Sequence, residues 1–172
     1  KTRRLRKVLE IRDISARFEA IYANNLWGDS ESVSGPGSTA KYTENLRALL
    51  PPLLRKYEIN SVFDAPCGDM NWMAQLLPQL SVLYIGGDIV QPLIALNKQR
   101  FGNSTTSFIC VNLVSDPFPS ADLMICRDCL FHMSYGDTLH ILENYIAADI
   151  SYLLVTSHTV GDFSHNQRSE ER

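Results

Sequence analysis

A chain of 172 residues with 45% hydrophobic and 20% charged side chains has the balance of a soluble globular protein and the length of one domain with a single core. No stretch approaches the ~18 uncharged apolar residues of a membrane span, and the first residues lack the apolar run of a secretory signal, so a cytoplasmic protein without a membrane partner is expected. The net charge of −3 is unevenly spread: residues 1–17 carry +5 and the remainder −8. This argues against nucleic-acid binding over the whole surface and leaves Lys1–Lys7 as a solvated basic extension able to touch phosphates or an acidic partner.

Apolar residues from Leu5 through Val8, Leu9, Ile11, Ile14, Phe18, Ile21 and Tyr22 recur every three or four positions, the stripe of an amphipathic helix that must lie on something. It ends before Leu26-Trp27-Gly28, and residues 28–39 form a Gly/Ser/Pro-rich loop without periodicity. Tyr42, Leu46, Leu49, Leu50, Leu53, Leu54 and Tyr57 mark a second helix, which Pro51 and Pro52 should kink or restart because each removes a backbone donor. After Asn60 the period changes: Ser61–Ala65, Val82–Asp88, Ser107–Val111, Ala121–Cys126 and Tyr152–Ser157 read as buried strands. Between them, Pro92 suits the first turn of a helix running to Phe101 that Gly102 closes at a left-handed cap. Ser134 with Asp137 resembles a capping box ahead of Leu139, Leu142, Tyr145 and Ile146. Alternating strands and helices imply an α/β fold with a doubly wound, mostly parallel sheet covered on both faces. Residues 1–58 read as N-terminal helices and a lid loop, residues 59–172 as the cofactor-binding core, in one compact unit. Mostly polar residues, His158–Arg172, follow the fifth strand, whose outer edge is therefore expected to lack a partner.

In an open α/β sheet the ligand lies beyond the carboxyl ends of the strands where the winding reverses. The loop after the first strand reads Asp64-Ala65-Pro66-Cys67-Gly68-Asp69, a small-residue turn whose backbone N–H groups can approach a ligand and whose following helix would present its N-terminus. Asp88, 20 residues beyond Gly68, ends the second strand, where a carboxylate can accept from both hydroxyls of a ribose. Together they point to a nucleoside-containing cofactor, and a single glycine leaves a dinucleotide's pyrophosphate few places to sit. The segment resembles motif I of class I S-adenosylmethionine-dependent methyltransferases, usually Asp-x-Gly-Cys-Gly-x-Gly, with Pro66 and Met70 in place of the first and last glycines. Ser-x-Ser-Gly-x-Gly-Ser at 32–38, Asp-Ala-Pro-Cys-Gly-Asp at 64–69 and Arg-Asp-Cys-Leu-Phe-His at 127–132 are together similar to a less characterised branch of that family, over about residues 18–160. The resemblance implies a Rossmann-like sheet of order 3-2-1-4-5, S-adenosylmethionine as cofactor, and methyl transfer to an oxygen or nitrogen nucleophile; the C-terminal antiparallel hairpin that family members add is expected to be missing from this chain.

By the same resemblance, Asp64, Gly68 and the backbone around Ala65 and Asp69 would hold the methionine part, Asp88 the ribose, and Ile89, Asn112 and Leu113 the adenine. Asn112 stands where an aspartate is common, and its amide oxygen can still accept from the adenine amine. The carbonyl around Arg127 would contact the methionine amino group, and Asp128 or His132 could take a proton from the nucleophile, although in-line positioning alone can suffice for methyl transfer. Cys126-x-x-Cys129-x-x-His132, with Cys110, offers soft ligands without a second well-spaced pair, so core thiols and no metal are expected. The 32–38 turn lacks the Lys-Ser/Thr of a phosphate loop and reads as a lid: Trp27 with Ser34, Gly35, Gly37 and Ser38 would close over the methionine end and exclude water. Trp72 and Met73 read as packing residues. Two rival functions remain: a non-catalytic S-adenosylmethionine-binding or degenerate interaction module, and a nucleotide-dependent oxidoreductase, which the single-glycine turn disfavours. The motifs leave open the acceptor (small molecule, protein or nucleic acid) and the oligomeric state.

Overall fold

The computed structural model describes residue 8 and residues 10–156. Lys1–Lys7, Leu9 and residues 157–172, on which the expected basic extension, the first turns of the first helix, the end of the fifth strand and the polar tail fall, lie outside the described residues. Five strands, β1 (Ser61–Asp64), β2 (Leu83–Asp88), β3 (Thr106–Cys110), β4 (Leu123–Cys126) and β5 (Tyr152–Val155), form one sheet of order β3-β2-β1-β4-β5. All four pairings are parallel. This is the expected Rossmann-like α/β architecture, and its winding reverses beside β1, so the carboxyl ends of β1, β2 and β4 face one crevice.

Successive strand residues face opposite sides of the sheet, and both sides are apolar. Val62, Tyr84, Phe108, Leu123 and Ile125 join one core with Leu50 and Leu54 of helix α2 (Glu44–Lys56) and Ile94 of helix α3 (Gln91–Phe101). Phe63, Met124 and Cys126 join the other with Ile141 of helix α4 (Tyr135–Ala147). Helix α1 (Ile14–Ala23) reaches the second core through Ile14 and Phe18.

Several local expectations are corrected. The stripe expected to begin at Leu5 is interrupted, because the Asp13 carboxylate accepts the Ala16 N–H at 2.7 Å and starts α1 afresh at Ile14. Pro51 and Pro52 lie inside an unbroken α2; burial of Leu50 and Leu54 on the sheet outweighs the two missing donors. No α-helix follows the turn after β1. The chain instead passes through Met70 at φ 63° into two short 3₁₀ turns, Met73–Gln75 and Leu77–Gln79, packed by buried Trp72, Met73 and Leu76. Gly102 caps α3 in an extended conformation, φ −64°, and is required for another reason: a Cβ there would meet the Lys98 carbonyl oxygen at 2.5 Å. The Ser134 hydroxyl accepts the Asp137 N–H at 3.0 Å as the first half of the expected box.

Candidate active site

A cavity open to solvent on one side lies at the carboxyl ends of the strands, where an open α/β sheet places its ligand. It brings together Asp64, Gly68, Asp88, Ile89, Asn112, Leu113, Arg127, Asp128 and His132 with Trp27, Ser34 and Ser38 of the loop; Ala65, Asp69, Gly35 and Gly37 do not line it. Trp72 both packs, at 4% exposure, and borders the cavity.

The turn after β1 is shaped by its own hydrogen bonds. Gly68, at φ 58°, donates its N–H to Asp88 Oδ2 at 3.1 Å, and Cys67 N–H donates to the Gly87 carbonyl at 2.8 Å. Asp69 N–H donates to Ser34 Oγ at 2.9 Å, and Ala65 N–H to the Ile125 carbonyl at 2.9 Å. The backbone donors expected to meet a ligand at Ala65, Gly68 and Asp69 are therefore engaged within the protein: Ala65 by the neighbouring strand, Gly68 by Asp88, and Asp69 by Ser34 of the 32–38 loop, which reaches into the turn. Asp69 anchors that loop: its carboxylate accepts from Ser32 Oγ at 2.9 Å, Val33 N–H at 2.9 Å and Ser34 Oγ at 3.2 Å.

The loop's far end is held from β4. Arg127 donates to the Gly37 carbonyl at 2.9 Å and to Ser38 Oγ at 3.0 Å, pairs with Asp128 at 2.6 Å, and lies over the Trp72 ring at 5.4 Å. The Arg127 side chain thus clamps the loop's far end to the chain after β4. Asp128, at φ 51°, also accepts from the Thr156 hydroxyl at 2.9 Å, so both of its oxygens are engaged. Asp69→Ala is expected to lower stability by about 2–3 kcal/mol, since it strips the acceptor from buried Ser32 and its neighbours. Urea unfolding measures the loss, and amide exchange should accelerate in residues 32–38 and not in β1.

Burial sets the protonation of the site. Asp64 accepts the Tyr84 hydroxyl at 2.6 Å, yet burial raises its pKa from 3.8 to about 7, the Tyr84 bond and Arg127 opposing the shift. Burial also raises Asp88, opposed by the N–H groups of Val90, Gly68 and Ile89. The His132 ring keeps an exposed edge beside Trp27 and Phe131; loss of water around it lowers its pKa, which the Asp128 charge partly offsets. Asn112 turns its amide oxygen to the Val114 N–H at 3.0 Å, leaving that oxygen one lone pair. Cys126 and Cys129 are buried in the core, where their mutual hydrogen bond, then burial, raises the Cys129 pKa.

The motifs did not single out Ile14, Phe18 and Tyr22 as site residues. All three line the cavity, and their i, i+4, i+8 spacing is the signal that one helix face covers a single surface. Tyr84, the donor to Asp64, sits in mid-strand among apolar neighbours and carried no such signal.

No family model and no curated protein matches the chain. Among solved structures, it resembles an O-methyltransferase family protein from Burkholderia thailandensis, with TM-score 0.64 and 16% identity over 95% of this chain and 52% of that one. The methyltransferase domain of bacterial-CtHen1-CN aligns with TM-score 0.58 and 15% identity over 70% and 73%. The N-methyltransferase NodS from Bradyrhizobium japonicum, in complex with S-adenosyl-L-homocysteine, aligns with TM-score 0.56 and 13% identity over 74% and 67%. The chain thus spans about half the length of the Burkholderia protein. At these identities the likeness shows the class I fold.

Proposed function

We propose that the chain binds S-adenosylmethionine and transfers its methyl group to an oxygen or nitrogen nucleophile. The observation that carries this is the buried Asp88 carboxylate at the end of β2, bonded across the crevice to Gly68 and lining the same cavity as Asp64, Ile89, Asn112 and Leu113. After accepting the Gly68, Val90 and Ile89 N–H groups, the Asp88 carboxylate keeps one further lone pair for a ribose hydroxyl. Asp64 supplies a carboxylate for the ammonium of the methionine part, and apolar Ile89 and Leu113 suit the faces of an adenine. A pyrophosphate is poorly matched, because the N–H groups of the turn are already bonded and Arg127 is paired with Asp128; this disfavours the oxidoreductase alternative.

When bound, the cofactor would supply an electrophilic sulfonium methyl to the acceptor's lone pair, with S-adenosylhomocysteine as the leaving group. The proton released by the acceptor passes to His132, whose lowered pKa keeps the imidazole unprotonated, and so free to accept it, near pH 7. Asp128, held by Arg127 and Thr156, acts as a positioning residue. The loop strapped between Asp69 and Arg127 keeps water from the methionine end.

Isothermal titration of S-adenosylhomocysteine into the wild-type chain and Asp88→Ala tests the cofactor site. The variant should bind about ten- to a hundredfold more weakly, about 1.5–3 kcal/mol, with thermal unfolding confirming that it still folds. A wild-type chain that ignores S-adenosylhomocysteine, or takes NAD in preference, overturns the proposal; cofactor binding without transfer to any acceptor would favour a binding module.

A further inference from the structure

The order β3-β2-β1-β4-β5 divides the cavity into two halves. Asp88, Ile89, Asn112 and Leu113 come from the β2 and β3 ends, whereas Asp128, Cys129, His132 and Met133 come from the β4 end. A ligand centred on β1 with its nucleoside over β2 and β3 leaves the β4 half for the second substrate. That half is walled by a row of rings: Phe18 lies 6.2 Å from Trp27 and Trp27 lies 6.1 Å from His132, centroid to centroid.

The charges of this half cancel. Arg127 is the one cation among the described lining residues, and it is paired with Asp128 at 2.6 Å and bonded to Gly37 and Ser38. Asp128 in turn is bonded to Thr156. A phosphate or carboxylate brought here would have to break the ion pair and release the loop. Trp27 meanwhile keeps 36% of its surface exposed at the rim, an amphipathic ring of the kind that anchors ligands at low entropic cost.

We infer that the β4 half of the cavity, walled by Phe18, Trp27, His132 and Met133, binds an uncharged aromatic small molecule carrying a hydroxyl or amine, with its ring against Trp27 and its polar group toward His132. This rests on the cofactor reading above and names the acceptor class for the same site. A neutral ring gains contact with the row without disturbing the Arg127–Asp128 pair, and its hydroxyl finds in the imidazole a partner able to accept a proton. A nucleic acid, by contrast, brings phosphates to a wall with no unpaired cation among the described residues.

The test uses the full chain, with and without saturating S-adenosylhomocysteine, and three probes: 2-naphthol, 2-naphthyl phosphate and a short single-stranded RNA. Saturation-transfer NMR and calorimetry should detect 2-naphthol on the loaded protein and a dissociation constant at least about tenfold weaker for 2-naphthyl phosphate, the cost of roughly one displaced charged contact. With S-adenosylhomocysteine affinity measured for each variant and 2-naphthol titrated at its saturation, Trp27→Ala should weaken 2-naphthol about tenfold while Trp27→Phe restores most of it. Equal or tighter binding of the phosphate or the RNA, or no 2-naphthol binding to loaded protein, overturns the acceptor class and leaves the cofactor reading standing. Binding of 2-naphthol by a chain that does not take S-adenosylhomocysteine supports the aromatic site and removes the cofactor reading instead; failure to bind either removes both.

Discussion

Gly68→Ala is expected to destabilise the protein by about 3–4 kcal/mol, a large effect for one methyl group. Gly68 sits at φ 58°, a conformation that costs a residue with a Cβ about 1–2 kcal/mol. A Cβ at this position would also collide with Ser34 Oγ. Ser34 cannot retreat freely, because its hydroxyl donates to Asp69 Oδ1 and accepts the Asp69 N–H; losing these two bonds adds about 2 kcal/mol. Ser34→Gly in the same chain removes the collision and leaves the backbone strain. The double variant should therefore be more stable than the sum of the single effects by about 1–2 kcal/mol in urea unfolding. Strict additivity would mean that the loop and the turn do not press on each other.

Asp64→Asn should produce a large pH effect on stability. Burial holds the Asp64 pKa at about 7 against an ordinary 3.8, so between these values the folded chain keeps a proton that the unfolded chain has released. The folded state is then progressively disfavoured as pH rises through that window, by about 1.4 kcal/mol per unit, and levels off above pH 7. An amide has no proton to lose and can still accept the Tyr84 hydroxyl. Asp64→Asn should gain about 2–3 kcal/mol relative to wild type between pH 5 and pH 8, read from denaturant midpoints at constant ionic strength. A difference that stays flat with pH would mean that Asp64 is already ionised in the folded protein. On the proposed function, the ammonium of S-adenosylhomocysteine favours the carboxylate, so its affinity should fall by up to about tenfold per unit below pH 7.

The parallel sheet was legible because buried strands write themselves as short apolar runs separated by helical periods, as in Leu123–Cys126 and Leu83–Asp88, whereas its order came from the family resemblance of the motifs. Asp88 and Gly68 stood out for a related reason: a carboxylate and a small-residue turn at adjacent strand ends have few structural uses in a core. Where local rules failed, a contact distant in sequence had won. Pro51 and Pro52 promised a break that the packing of Leu50 and Leu54 overrode. The turn after β1 promised a helix with free N–H groups, but Met70 at φ 63° diverted the chain and Ser34, from 35 residues upstream, took one of the donors.

Composition, periodicity and motif spacing thus determined the α/β class, the strands, and the residue types gathered at the mouth of the crevice, because each depends on neighbours close along the chain. Only the tertiary structure decided what those residues touch. It turned Asp69 from a ligand candidate into the loop's anchor, and Arg127 into the clamp on Gly37 and Ser38. It paired Asp128 with Arg127, placed Trp27 beside both Phe18 and His132, and set Tyr84 against a buried Asp64. Partner choice and burial depend on which strand ends meet across the sheet, and protonation depends on the water excluded there, neither of which a linear pattern records.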